Sequence, residues 1–227
     1  MNMLTLSGWG QPHDALSVIM ADAEHFDYTN YKTIEKALEG IACKAHLHDV
    51  IIGWSLGGQL AVRTILKGLI RPKKLILVAV PYQFVQTDES KIGMPRDKFE
   101  KFRSNYENNP ARTLAKAWEL IALNDKNSDK VRIAMGKKSK DQMLEKDWLH
   151  WLDMLDGFSF KNIDLSLLPP TLIIHGTHDN VVDFSQSYEF IKSIPQARHI
   201  IIEGAGHAPH FFDETLIQKH IMEFLNV

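Results

Sequence analysis

Three residues of this 227-residue chain have the side chains that acyl-transfer chemistry needs, and each lies just past an apolar run. They are Ser55, Asp179 and His207, in that order along the chain. A serine hydroxyl becomes a good nucleophile when an imidazole takes its proton, and the imidazole in turn needs a carboxylate to orient it. The residue types, their order and their positions therefore predict a triad in which His207 is the base and Asp179 orients it.

The segment around Ser55 reads as a buried strand, a sharp corner and a helix. Gly53-Trp54-Ser55-Leu56-Gly57 fits the Gly-x-Ser-x-Gly pattern of nucleophile corners. A serine at such a corner adopts a strained backbone that costs roughly 1–3 kcal/mol, and the positions two residues away must be nearly bare. The alternative interpretation is a tight glycine turn whose serine only caps the helix.

Two backbone N–H groups are predicted to bind the oxyanion. Leu56 directly follows the nucleophile and supplies one donor. The other is expected from the loop Gly8-Trp9-Gly10, which follows the first strand, and we assign it to Trp9. The Trp9 side chain would then either cover the site or simply pack under neighbouring helices.

Several polar residues near the predicted triad are alternatives to its members. Asp183 is predicted to cap the next helix rather than to orient His207. His178 and His210 are interpreted as loop or rim residues, and His175 as a half-buried packed histidine at the end of its strand. The histidines lack the paired spacing and cysteine partners of a zinc site, so we predict no metal.

Strands and helices alternate along most of the chain, which favours a sheet of about six mostly parallel strands flanked by helices. The alternation stops at residues 82–168, where the pattern is helical and polar. This segment is too long for a loop and is predicted to be a helical cap inserted after the strand that ends at Val80. Residues 1–81 and 169–227 would then form the core.

Composition limits the function classes. The formal net charge is −2, which argues against nucleic acid or a membrane as partner, and the single cysteine suits a reducing compartment. The chain opens directly on a strand with no signal-peptide pattern, so we expect a cytoplasmic protein. Residues 91–140 hold 13 Lys+Arg and 6 Asp+Glu, a net of +7, against −9 elsewhere. That stretch is either a solvated surface or a docking site for something acidic.

The motifs together resemble α/β-hydrolases, and more narrowly the BioH-type pimeloyl-[acyl-carrier protein] methyl ester esterases. The shared residues are Gly8-Trp9-Gly10, Gly53-Trp54-Ser55-Leu56-Gly57-Gly58, Gly176-Thr177-His178-Asp179 and Gly204-Ala205-Gly206-His207-Ala208-Pro209. The resemblance implies the α/β-hydrolase fold and a cytoplasmic, monomeric esterase without a cofactor. It further implies hydrolysis of the pimeloyl methyl ester in biotin synthesis, with the basic cap docking acyl-carrier protein.

Other functions fit the same residues. A small-molecule carboxylesterase or lipase, a thioesterase and a carbon–carbon bond hydrolase all use this triad. A non-catalytic ligand-binding protein of the same fold belongs to a different class, and the intact triad counts against it.

Overall fold

The computed structural model describes residues 1–136 and 143–226 and contains one six-stranded parallel sheet, as the sequence predicts. The strands follow the order β2-β1-β3-β4-β5-β6 across the sheet, and every neighbouring pair is parallel. Their bounds are β1 Met3–Leu6, β2 Glu24–Phe26, β3 Val50–Trp54, β4 Lys74–Val78, β5 Thr171–Gly176 and β6 Ala197–Ile202.

Both faces of the sheet are buried because apolar residues occupy successive strand positions. In β3, Ile51 packs into one core layer while Val50 and Ile52 pack into the other. Successive side chains of a strand point to opposite faces, so an uninterrupted apolar run requires cover on both sides. The helices supply that cover, and the central strands are consequently sealed from solvent.

The helices fill the connections between strands. Their bounds are α1 Ile34–Ala45, α2 Leu56–Leu66, α3 Arg96–Asn108, α4 Pro110–Ile121, α5 Ser128–Gly136, α6 Trp148–Asp156, α7 Gln186–Ser193, α8 Pro209–Phe212 and α9 Glu214–Leu225. Side-chain caps fix several starts: the Thr33 hydroxyl accepts the Lys36 N–H at the start of α1, and Asp213 accepts the Leu216 N–H at the start of α9. Within the described ranges, no helix is long and apolar enough to cross a membrane.

Between β4 and β5 the chain forms α3, α4, α5 and α6, and residues 82–168 are called the helical segment below. Its described part pairs only through isolated bridges, such as Gln83 with Ser159. Residues 137–142 lie outside the described ranges. Three of the lysines counted in the basic stretch, Lys137, Lys138 and Lys140, are among them.

One predicted strand boundary was wrong. The strand expected to end at Val80 ends at Val78, because Ala79 has a φ of 47°, which an extended strand cannot contain. A short 3₁₀ helix, Ala15–Val18, lies between β1 and β2.

Candidate active site

The candidate site lies where the strand order reverses. From β1 the chain passes to β2 on one side and then to β3 on the other, so the loops after β1 and β3 diverge. Parallel α/β sheets bind ligands at such a point, beyond the carboxyl ends of the strands. Ser55 follows β3 and the Gly8–Gly10 loop follows β1, which brings the two to the same crevice.

Ser55 occupies a strained corner. Its φ is 52° and its ψ is −120°, a conformation that costs a non-glycine residue about 1–3 kcal/mol. The helix α2 begins at the next residue, so its N-terminal N–H groups and positive dipole end face the serine. Close packing makes glycine necessary on both sides: a Cβ on Gly57 would lie 2.2 Å from the Leu6 carbonyl oxygen, and one on Gly53 would lie 2.3 Å from Gly58 Cα.

Asp179 and His207 are in direct contact. His207 Nδ1 donates to Asp179 Oδ2 at 2.8 Å, and Asp179 Oδ1 accepts the backbone N–H groups of Val181 and Val182, each at 2.8 Å. Burial alone would raise the pKa of the Asp179 carboxyl, but the charge of His207 and the hydrogen bonds from its two histidine neighbours hold that pKa well below its usual range. The carboxylate therefore stays ionised and fixes the imidazole tautomer.

His175 contacts Asp179, which the sequence did not reveal. It is completely buried, not half buried as expected, and its Nε2 lies 3.0 Å from Asp179 Oδ2 and 3.0 Å from the Val182 carbonyl oxygen. Both partners are acceptors, so Nε2 carries the proton, while Nδ1 has no partner among the described residues. Asp179 thus receives two imidazole donors on one oxygen. The only indication of this contact in the sequence was the spacing of four residues between His175 and Asp179.

The loop after β1 lies against Ser55. A Cβ on Gly8 would meet Ser55 Cβ at 3.4 Å, which is ordinary van der Waals contact. The backbone N–H groups of Trp9 and Leu56 donate to no acceptor in the described part of the chain, so both remain available to an incoming oxygen. Trp9 Nε1 donates to the Trp148 carbonyl at 2.7 Å, which ties this loop to the start of α6.

A buried aromatic layer supports His207 from below. Trp54 Nε1 donates to the His207 carbonyl at 2.9 Å, and the His210 ring packs edge-on against Trp54 with centroids 4.5 Å apart. His210 is therefore a core residue, and its prediction as a rim residue was wrong, because α8 turns its side chain inward. Burial, and then the proximity of His207, lower the pKa of His210 to about 3.

An apolar cavity adjoins Ser55 and His207. No charged side chain among the described residues lines it. Besides the site residues, its walls come mainly from the helical segment and include Phe84, Met94, Phe102, Leu120, Leu152 and Leu155. Such a lining suits an acyl or alkyl chain rather than an ionised ligand.

The structure brings Ser55, His207 and Trp9 to this cavity, with Asp179 behind His207. No hydrogen bond joins Ser55 to His207 in the described part of the chain. In sites without substrate such catalytic hydrogen bonds are often long, and they tighten when substrate binds. Asp183 is exposed and accepts the Ser185 N–H at 2.9 Å, one turn before α7. Across residues 1–136 and 143–226, no group of His, Cys, Asp and Glu is arranged to hold a metal ion.

The fold and the residue pattern place this chain in a family. The profile of the alpha/beta hydrolase fold matches residues 22–214, which is most of the sequence. The chain therefore belongs to the α/β hydrolase fold family.

Two relatives of this chain have named functions. The chain is 26% identical over 204 residues to the biotin biosynthesis bifunctional protein BioHC of Teredinibacter turnerae, covering 85% of this chain and 35% of that protein. It is 25% identical over 183 residues to the pimeloyl-[acyl-carrier protein] methyl ester esterase of Nitrosomonas europaea, covering 78% of this chain and 71% of the relative. The chain thus spans about a third of the bifunctional protein.

Solved structures agree on the fold. A bromoperoxidase from Bacillus anthracis superposes with a TM-score of 0.82 at 18% identity, covering all of this chain and 92% of the other. The esterase EaEST from Exiguobacterium antarcticum gives a TM-score of 0.77 at 17% identity with the same coverage. At this level of identity the likeness concerns the architecture alone.

Proposed function

We propose that this chain is a serine carboxylesterase that works through an acyl-enzyme. The observation that carries the proposal is the joint placement of Ser55 at a strained corner and the Asp179–His207 pair beside the same apolar cavity. A carboxylate kept ionised by buried donors, an imidazole oriented by it and a serine raised at a helix start are the parts that ester hydrolysis requires.

The reaction would proceed in two balanced halves. Ser55 Oγ forms a bond to the ester carbonyl carbon while its proton passes to His207 Nε2, and the oxyanion is held by the N–H groups of Trp9 and Leu56. The carbon–oxygen bond to the alcohol then breaks as His207 returns the proton to the leaving oxygen. A water molecule, deprotonated by His207, then attacks the acyl-enzyme carbonyl and releases the acid and Ser55. No cofactor is needed.

We further propose that the substrate is pimeloyl-[acyl-carrier protein] methyl ester. The names of the curated relatives support this choice, and so does the apolar cavity, which suits an acyl chain whose terminal carboxyl is masked as an ester. The helical segment would act as the cap. Its exposed Lys98, Lys101, Arg112 and Lys116 form no ion pair with a described residue, which leaves them available to an acidic carrier. We expect a cytoplasmic monomer.

A second candidate is a carboxylesterase for small free esters. It is favoured by the ion pairs within the helical segment: Arg96 pairs with Asp156, Arg103 with Asp153 and Glu107, and Arg132 with Glu119 and Asp129. Three of the arginines in the basic stretch are thus already neutralised locally, which weakens the field that a carrier protein would meet.

Replacement of Ser55 by alanine tests the mechanism. We expect Ser55→Ala to remove ester turnover, leaving only the roughly 10³–10⁴-fold acceleration over water that oxyanion binding alone can supply. The measurement is kcat/KM for pimeloyl-carrier methyl ester beside short-chain p-nitrophenyl esters, with circular dichroism as the folding control. Turnover near that of the parent protein would contradict the serine mechanism. A preference for free esters would select the second candidate.

A further inference from the structure

The turn at the end of α4 contacts both the loop that contains Asp179 and the loop that contains His207. This turn, defined as residues 121–127 so that it includes the last residue of α4, belongs to the helical segment and lies at least 50 residues from either loop in sequence. It contains one buried carboxylate, Asp125, which is 5% exposed. Its contacts fall into two sets, one to the loop after β5 and one to the loop after β6.

The first set holds the loop of His207. Asp125 Oδ2 accepts the Gly206 N–H at 2.8 Å, and the Ile121 carbonyl accepts the His207 N–H at 3.2 Å. In the other direction, the Lys126 N–H donates to the Gly204 carbonyl at 2.9 Å. The two backbones pack closely here, because a Cβ on Gly206 would lie 2.7 Å from the Ile121 carbonyl oxygen.

The second set holds the loop of Asp179. His178 Nδ1 donates to the Asn124 carbonyl at 2.7 Å, and Asn180 Nδ2 donates to the Leu123 carbonyl at 2.7 Å. These two residues flank Asp179 in sequence. The orienting carboxylate and the base are therefore both attached to the same seven-residue turn.

The turn is itself rigid for stated reasons. Asp125 Oδ1 accepts the Asn127 N–H at 2.6 Å, so the same carboxylate closes its own turn while it holds Gly206. Asn124 has a φ of 63°, which lets its carbonyl point outward to His178. Asp125 makes no ion pair with a described residue, so its charge serves these two backbone donors.

We propose that Asp125 is a positioning residue, which fixes the backbone of Gly206 and thereby the distance of the His207 imidazole from Ser55. The inference rests on the proposed serine mechanism and extends it to the helical segment. Without the Asp125 carboxylate, the loop after β6 loses the only one of its three hydrogen bonds to the turn that a side chain makes, and His207 samples positions too far from Ser55. Misplacement by about 1 Å can reduce a rate about 100-fold.

The test compares Asp125→Ala with Asp129→Ala, an exposed carboxylate of α5 paired with Arg132. For a short p-nitrophenyl ester, we expect Asp125→Ala to lower kcat about 10- to 100-fold with little change in KM, whereas Asp129→Ala should leave both unchanged. Asp125→Asn has the same size but can accept only one of the two N–H groups, so its kcat should lie between those of the parent and Asp125→Ala. If Asp125→Ala does not fold, Asp125→Asn carries the comparison.

A double variant separates positioning from a purely structural role. If Asp125 acts through His207, adding Asp125→Ala to His207→Ala should cause no further loss of kcat, because the group being positioned is gone. An equal loss in both backgrounds, or parent-like kcat in Asp125→Ala, would overturn the positioning role. That result, with Ser55→Ala and His207→Ala reduced to the residual rate, leaves the proposed function standing; a Ser55→Ala variant with parent-like kcat would instead remove the proposed function itself.

Discussion

At the scale of single residues, the Asp179 side chain of the candidate site is held by hydrogen bonds on both of its oxygens. It is buried, and its two oxygens accept four donors: the two histidines His175 and His207, and two backbone N–H groups. Each bond favours the ionised form, which is why the pKa of this carboxyl is lowered in spite of burial. Neutralising Asp179 should therefore disturb the imidazoles rather than the local fold.

Replacement by asparagine should affect kcat very differently at the two aspartates of this loop, Asp179 and Asp183. Asp179→Asn is expected to lower kcat by on the order of 10⁴, because the amide N–H₂ cannot accept from His207 Nδ1 and the imidazole takes the wrong tautomer. Asp183→Asn keeps an oxygen for the exposed Ser185 N–H contact, so kcat should stay near that of the parent, and stability should change by no more than about 0.5 kcal/mol. Steady-state kinetics on both variants measure the contrast; the reverse ranking would assign the orienting role to Asp183.

His210 should make the protein sensitive to acid. The folded state keeps this ring neutral down to a pKa of about 3, whereas in the unfolded chain it takes up a proton below its ordinary pKa of 6.5. The unfolded state then binds more protons, so as pH falls from about 6.5 to about 3 this residue removes up to about 1.4 kcal/mol of unfolding free energy per pH unit.

His210→Leu should remove that dependence. We expect the difference in unfolding free energy between His210→Leu and the parent to shift in favour of the variant as pH falls from 6.5 towards 4, since packing changes are independent of pH. Urea unfolding at several pH values measures this difference. A difference that stays constant over the range would show that His210 titrates alike in both states.

At the scale of elements, α3 and α4 carry the exposed cations that could meet a carrier protein. Lys101 and Lys116 are exposed and neither lines the cavity, so charge reversal there should leave the cavity walls unchanged. Attraction between separated surface charges is effective at low ionic strength and is largely screened near 0.15 M, where the Debye length is about 8 Å. Carrier-bound and free substrates should therefore differ in their response to salt.

Reversal of two of these charges tests the docking proposal. Lys101→Glu with Lys116→Glu should lower kcat/KM for the carrier-bound ester about tenfold or more at low salt, and leave a free p-nitrophenyl ester unaffected. The matched control reverses Lys32 and Lys67, two exposed lysines outside the helical segment. Equal responses from both pairs, or from both substrates, would identify the basic stretch as solvated surface.

At the scale of the whole molecule, the sequence predicted the parts that depend on local pattern. Continuous apolar runs such as Val50-Ile51-Ile52 marked the buried parallel strands, and the order of Ser55, Asp179 and His207 indicated a shared edge of the sheet. The strand inference is confirmed because burial on both faces leaves a direct trace in the sequence.

What the sequence did not predict depends on contacts between distant segments. His175 and His210 read as ordinary loop or strand-end histidines, since burial beside Asp179 or Trp54 is decided by packing that no local pattern records. The role of Asp125 was equally hidden, because its partner Gly206 is 81 residues away. The positive φ of Ala79, which shortened β4, also arises from the surrounding fold rather than from alanine.

The bonds between the turn 121–127 and the loops after β5 and β6 have a consequence for protein engineering. The obvious chimera would exchange the whole helical segment for that of another hydrolase, cutting at the ends of β4 and β5. Such a graft would carry a foreign turn to His178, Asn180 and Gly206, and the recipient would fold without an aligned base. Exchanging only α3 and α6, which contribute Phe102, Leu152 and Leu155 to the cavity, would change ester selectivity while α4 and its turn stay native.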